Sequence, residues 1–280
     1  VDVVLLAGDI YDRAIPSVEA VELLDWFFNT LLAEKIQIMV ISGNHDSPER
    51  LSFAGKILEK QGLYISGAYN GSLKKVTLTD KYGEVVFHFF PFFKTAVAGQ
   101  YLEQRVNTVQ DMAEQILKRE ESELDKKKRN VMLGHYFVLH GEQKAEEQEE
   151  GVGGLDAIES TLFDDYDYVA LGHIHGPQTF ENGRVRYCGT PLKYSVSEER
   201  HNKSITLVTL EEKGREPLIE TIPLSALHDV RRLKGTLDEL LNAKEEQFCD
   251  VVHAHRNIIY KVCYIYAPKG MIEDYYQEVV

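Results

Sequence analysis

Hydrophobic and polar positions follow two rhythms along most of the chain. Apolar runs of strand length are separated by longer segments whose apolar residues recur at helical spacing. "VDVVLLAG" (1–8) predicts a buried strand, and "SVEAVELLDWFFNTLLAEK" (17–35) an amphipathic helix with Ser17 as N-cap. "KIQIMVIS" (35–42) predicts the next strand. A helix is expected from about Pro48, because Ser47 can cap it and proline suits its first position. "LKKVTLTD" (73–80) and "EVVFHFFP" (84–91) read as a hairpin closed at Lys81-Tyr82-Gly83. A long helix is expected over residues 108–127. After it come the strand "NVMLGH" (130–135), a polar loop, a short helix near 155–163 and the strand "DYVALGH" (167–173). Residues 184–223 read as strand and turn throughout. Beyond about Leu227 the pattern changes to a helix (236–248) and then a strand (257–268). The chain is therefore expected to be α/β, with a large domain over 1–226 and part of a small α+β domain over 227–280.

Composition narrows the class. At 280 residues and 44% apolar, the chain can bury an ordinary core. No apolar run approaches the length of a membrane span, and the N-terminus lacks the basic start of a signal peptide, so a cytoplasmic protein off the membrane is expected. Cys188, Cys249 and Cys263 are far apart and follow no zinc spacing; reduced thiols are the plainer reading. The net charge of −14 argues against a protein held on nucleic acid by a basic surface. It leaves room for an enzyme that meets nucleic acid through metal ions or a partner. Mixed-charge stretches such as 118–129 and 144–150 read as solvated faces.

Candidate chemistry lies at strand ends. Four predicted strands finish on a glycine followed by a side chain able to bind a metal: Gly8-Asp9, Gly43-Asn44-His45, Gly134-His135 and Gly172-His173-Ile174-His175. Taken singly, each has a structural explanation. Asp9 could serve a turn, and a lone His135 is more often a hydrogen-bonded core histidine than a ligand. His173 and His175, two apart on a strand, would face opposite sides unless the chain turns there. Together they point to one site, because carboxyl ends of strands in open α/β sheets converge on ligands. Oxygen and nitrogen donors without thiolate suit Mn, Fe or Zn.

"GDIYDR" (8–13), "GNHD" (43–46), "GH" (134–135) and "GHIH" (172–175) match, in order, the motifs GDxxD, GNHD/E, GH and GHxH of the calcineurin-like metallophosphoesterases. Within that superfamily "VALGHIHGPQ" and "VRYCGTPLKYS" most resemble the SbcD-type nucleases, as do "VGGLDAI" and "RRLKGTLDELL". The resemblance implies a core of two packed sheets flanked by helices, with a capping domain after it. It implies two divalent metal ions, Mn²⁺ first and Mg²⁺ as the alternative. Asp9 would bridge them; Asn44, His135 and His173 would complete one, and His175 would bind the other. His45 would face the scissile phosphate and protonate the leaving oxygen, with Asp12 accepting a hydrogen bond from it. Arg13 would contact phosphate or simply form a salt bridge. Asp46, His88, His140 and His201 are left as structural or surface residues.

The implied activity is metal-dependent DNA cleavage at ends and hairpins, in recombination and repair, with DNA and an SbcC-type ATPase as partners. Self-association as a homodimer is left open. A small-molecule phosphodiesterase on the same core, or a non-catalytic scaffold that binds DNA ends or a partner, are the competing readings. The family's opening Asp-x-His strand has no counterpart before Val1, so a fragment is expected, with one metal position complete and little activity of its own.

Overall fold

A computed structural model gives the architecture, and the residues described are 1–139, 157–227 and 229–230. By compactness the chain divides into two units: Val1–Gly189 with Thr206–Thr221, and Thr190–Ile205 with Ile222–Val280.

The first unit is built on two sheets. The smaller contains β1 (Val3–Ala7), β2 (Gln37–Ile41) and β3 (Leu63–Ser66), all parallel, in that order, so β1 is an edge strand among the described residues. In the larger sheet, β4 (Lys74–Asp80) and β5 (Gly83–Phe90) form the predicted hairpin. Beyond β5 lie β6 (Arg129–His135), β9 (Tyr168–Gly172), β11 (Val185–Tyr187) and β10 (Gln178–Phe180). The run from β5 through β6 and β9 to β11 is parallel, and both edges are antiparallel. A parallel pair, β7 (Phe137–Leu139) with β8 (Ala157–Glu159), and a ribbon of β12 (Ser204–Thr209) with β13 (Leu218–Pro223) complete the strands described.

Strand periodicity decides the layering. Alternate side chains of β2 face opposite ways. Met39 and Ile41 pack between the sheets on Phe87, Phe89, Val131, Leu133 and Tyr168. Ile38 and Val40 turn the other way, against Phe28, Leu31 and Leu32 of α1 (Val18–Ala33). On the outer face of the larger sheet, Phe90, Met132 and Val169 cover Met112, Ala113, Ile116 and Leu117 of α5 (Val109–Glu121). Each such side chain contributes roughly 1.5–3 kcal/mol on burial, against about 1 kcal/mol for a helix cap. Core faces, then, rather than helix propensity, fix two sheets between helices, as expected.

The start of α1 is capped as the sequence predicts, and α5 gains a cap that the sequence reading did not name. Ser17 Oγ accepts from the Ala20 N–H at the head of α1, and Thr108 with Asp111 makes a reciprocal capping box on α5. Its C-terminus comes earlier than the expected 127: apolar periodicity stops near Leu117, leaving a charged tail with only Leu124 to bury. The helix expected from Pro48 is a single turn, α2 (Pro48–Leu51), followed by α3 (Gly55–Leu58); Ala54 between them is left-handed, with φ +57°. Another short helical segment, α4 (Thr95–Ala98), follows β5. The short helix expected near 155–163 is instead β8 and a 3₁₀ turn at Ser160–Phe163; residues 155–156 lie outside the described set. The strands β3 and β7 have no sequence signal of their own, being only four and three residues long.

In the second unit a 3₁₀ turn at Val196–Arg200 interrupts the expected strand-and-turn pattern. It places Glu198 on the buried Lys203 ammonium at 2.6 Å, and Lys203 also donates to Thr190 Oγ1 at 2.8 Å. The helix and strand expected after Leu227, and His140 in the polar loop, lie outside the described residues.

Candidate metal centre

Register brings four strand ends to one level. Ala7 pairs with Ile41, so Gly8-Asp9 and Gly43-Asn44 leave neighbouring strands side by side. His135 pairs with Gly172, and His173 is the next residue. His135 is buried and donates from Nδ1 to the Ala7 carbonyl at 2.6 Å. A carbonyl only accepts, so the proton sits on Nδ1 and Nε2 presents a lone pair. That nitrogen lies 3.0 Å from Asn44 Oδ1 and 3.2 Å from Asp9 Oδ2. The same Asn44 oxygen lies 3.1 Å from His173 Nδ1. The ligand atoms of Asp9, His135 and His173 all fall within 4.8 Å of one another. A carboxylate, an amide oxygen and two imidazoles thus aim electron pairs at one point, which suits a shared cation of hard or borderline character.

The glycines preceding these residues allow the approach. A Cβ on Gly8 would lie 2.2 Å from His135 Nδ1, and Gly8 has φ +86°. On Gly43 it would meet Asp9 Oδ1 at 2.1 Å, and on Gly172 the Ala7 carbonyl oxygen at 1.8 Å. Gly134 is different: a Cβ there would meet only Leu171 Cδ2, at 3.2 Å. Asp9 and His173 themselves have φ +48° and +94°, conformations that side-chain-bearing residues rarely adopt. Such strain persists where surrounding structure imposes it, and here it turns both side chains off their strands.

Electrostatics keep the donors in metal-binding form. Burial pushes the Asp9 carboxyl up, but the adjacent His135 imidazole and the His45 N–H together hold it below its ordinary value. Burial, reinforced by the neighbouring His135 imidazole, lowers the His173 imidazole to about 4, although Asp9 pulls the other way. His173 is therefore neutral at physiological pH, as a ligand must be.

Other sequence candidates fall around this group. His45 is exposed; its main-chain N–H donates to Asp9 Oδ1 at 2.9 Å, and its Nδ1 lies 2.8 Å from the main-chain oxygen of Asp12. The expected bond to the Asp12 carboxylate is not the one formed. That carboxylate faces the Arg13 guanidinium at 3.1 Å, and both side chains are largely in solvent, so the pair contributes little. The ring meets the Asp12 carbonyl, while the Asp12 side chain stands in solvent beside Arg13. Arg13 is accordingly found in a salt bridge. His175 does not join the tight group of Asp9, His135 and His173, although its proximity adds to the lowering of the His173 pKa.

Sequence reasoning missed one further contributor and left another without a role at the site. The Ala7 carbonyl fixes the His135 tautomer, and a main-chain acceptor leaves no signal in a sequence. Asp46, expected to be structural or at the surface, is buried and accepts from the N–H groups of Ile10 (3.1 Å), Tyr11 (2.9 Å) and Gly43 (2.8 Å). Its place in "GNHD", beside two site residues, is the one clue that the sequence offers.

The calcineurin-like phosphoesterase family model matches residues 1–177. Two curated relatives, from Staphylococcus saprophyticus and Staphylococcus epidermidis, are each named as the SbcD component of the nuclease SbcCD. The first is 32% identical over 248 residues and the second 30% over 246, covering 88% and 87% of this chain. The chain spans 64% of the length of each. That family implies divalent metal ions, and the oxygen and imidazole donors gathered from four strand ends fit such ions. Motif order, two-sheet architecture and family match agree: the chain belongs to the calcineurin-like phosphoesterases.

Proposed function

We propose that the chain is the catalytic part of a metal-dependent DNA nuclease that acts on DNA ends and hairpins with an SbcC-type ATPase. The observation that carries this reading is the convergence of Asp9, Asn44, His135 and His173, with His45 tethered beside them. The likeness to relatives named as components of the SbcCD nuclease supports DNA as substrate. Mn²⁺ is the preferred ion and Mg²⁺ the alternative. The first position takes Asp9, Asn44, His135 and His173; a second would share Asp9 and take His175. Bound there, the ions supply positive charge against the phosphodiester and lower the proton affinity of the attacking water.

The protein's own groups do the rest. Nδ1 of His45 donates to the Asp12 carbonyl, which leaves Nε2 as the ring's working nitrogen. Protonated, that nitrogen stabilises charge developing on the phosphate. As the oxygen of a water that has released one proton to solvent bonds to phosphorus and the ester P–O bond breaks, the His45 ring gives its Nε2 proton to the leaving oxygen. With a net charge of −14, the chain depends on metal and partner to approach DNA. Residues 227–280 are read as part of a capping domain that limits this approach.

Cleavage of hairpin and linear DNA by the full-length protein with its ATPase partner, in Mn²⁺ or Mg²⁺, tests the reading. Metal-dependent cutting is expected. Hydrolysis of a small phosphodiester such as bis-p-nitrophenyl phosphate without any DNA cleavage would transfer the function to small-molecule phosphodiesters. Metal-independent DNA binding with neither activity would make the protein a scaffold.

A further inference from the structure

The loop after β1 carries Asp9 and the Asp12 carbonyl, and the loop after β2 carries Asn44 and His45. Both reach the site as irregular chain, with no ladder of strand hydrogen bonds between them past Ala7 and Ile41. One buried side chain joins them. Asp46 accepts on Oδ1 from the Tyr11 N–H, and on Oδ2 from the N–H groups of Ile10 and Gly43. Two of these donors lie in the first loop and one at the start of the second. A carboxylate, acceptor-only on both oxygens, can take all three; an amide cannot, because one of its two ends donates.

We propose that Asp46 is a positioning residue for this site. Its carboxylate sets the spacing between Asp9 and Asn44, and it holds the Asp12 carbonyl where His45 Nδ1 can donate. Residues 10 and 11, which it grips, lie between Asp9 and Asp12, so releasing them frees both ends of that segment. Gly43, the third donor, precedes Asn44 directly and is packed against Asp9 with no room for a side chain. The catalytic part of this inference rests on the functional reading above. The part concerning loop geometry does not.

Asp46→Asn in the full-length protein separates these. Two readouts are used: the His45 ring tautomer by ¹⁵N NMR without metal, and Mn²⁺ affinity by calorimetry. We expect His45 to lose its single Nδ1–H tautomer and Mn²⁺ affinity to fall by ~10–100-fold, the range for groups that orient metal ligands. If Asp46→Asn does not fold, Asp46→Glu carries the same readouts, because it keeps both acceptor oxygens at a longer reach. A lower melting temperature with the His45 tautomer and Mn²⁺ affinity both unchanged would make Asp46 merely structural and overturn the proposal. A parent protein that binds no Mn²⁺ would defeat the functional reading instead, and the His45 tautomer would still decide the role of Asp46.

Discussion

His45 is held by main chain on two sides, its own N–H on Asp9 and its ring on the Asp12 carbonyl. That makes its role separable from the metal donors and from the Asp12 side chain. His45→Ala in the full-length protein is expected to leave Mn²⁺ affinity nearly intact and to lower DNA cleavage by roughly two to four orders of magnitude, the effect of losing a positioned acid and charge stabiliser. Loss of metal in that variant would make His45 a ligand. Asp12→Ala keeps the carbonyl acceptor and removes only a solvent-exposed partner of Arg13. Its cleavage rate should exceed that of His45→Ala by at least about tenfold; equal rates would show that the Asp12 carboxylate itself acts. At Gly43 the constraint is steric. Gly43→Ala places a methyl against Asp9 Oδ1 and its backbone nitrogen, so calorimetry should find the metal affinity largely lost. Normal affinity would mean that the two loops separate freely.

At the scale of elements, the β5–β6 pair carries a buried titratable group away from the site. His88 on β5 is 2% exposed, with Nε2 3.0 Å from Asn130 Oδ1 on β6. Asn130 donates from its amide nitrogen to the Asp125 and Lys128 carbonyls, so its oxygen accepts from His88 and Nδ1 of His88 is the unprotonated nitrogen. Among the described residues no hydrogen-bond partner meets that nitrogen. The ring packs edge-on against Tyr166. Burial lowers its pKa; the Asn130 bond and Glu120 on α5 oppose this, while Lys75 on β4 reinforces it. The unfolded chain takes up the proton near pH 6.5 while the fold resists it, so stability is intact above that pH. It falls as the pH drops below the unfolded value, until the depressed folded value is reached. Urea unfolding should lose up to ~1.4 kcal/mol per pH unit in this window, and His88→Gln should remove that part of the slope. An unchanged slope in the variant would show that His88 titrates as it does in water.

Across the whole molecule, the described residues offer one full set of donors and one sparse set. Asp9, Asn44, His135 and His173 form the first; the proposed second position would share Asp9 and take His175, which lies outside the tight group. Calorimetric titration of the 280-residue chain with Mn²⁺ is therefore expected to show a single tight site per chain. Two tight sites would mean that further residues complete the second position.

Much of this arrangement was legible in the sequence because it rests on local rules. Strand and helix periods mark β1, α1, β2, the β4–β5 hairpin, β6 and β9. The cap at Ser17 follows from a side chain that satisfies its own helix. Glycine before Asp9, Asn44 and His173 marks where strands end and where backbones crowd. Tertiary structure alone decided what depends on long-range register and main-chain atoms. The 3₁₀ turns and three-residue strands carry too few residues to set a period. The Ala7 carbonyl that orients His135, the Asp12 carbonyl that takes the bond expected of its carboxylate, and the three N–H groups gathered by Asp46 are backbone atoms common to nearly every residue. Sequence names side chains; only the folded register of β1, β2, β6 and β9 determines which backbone atoms they meet.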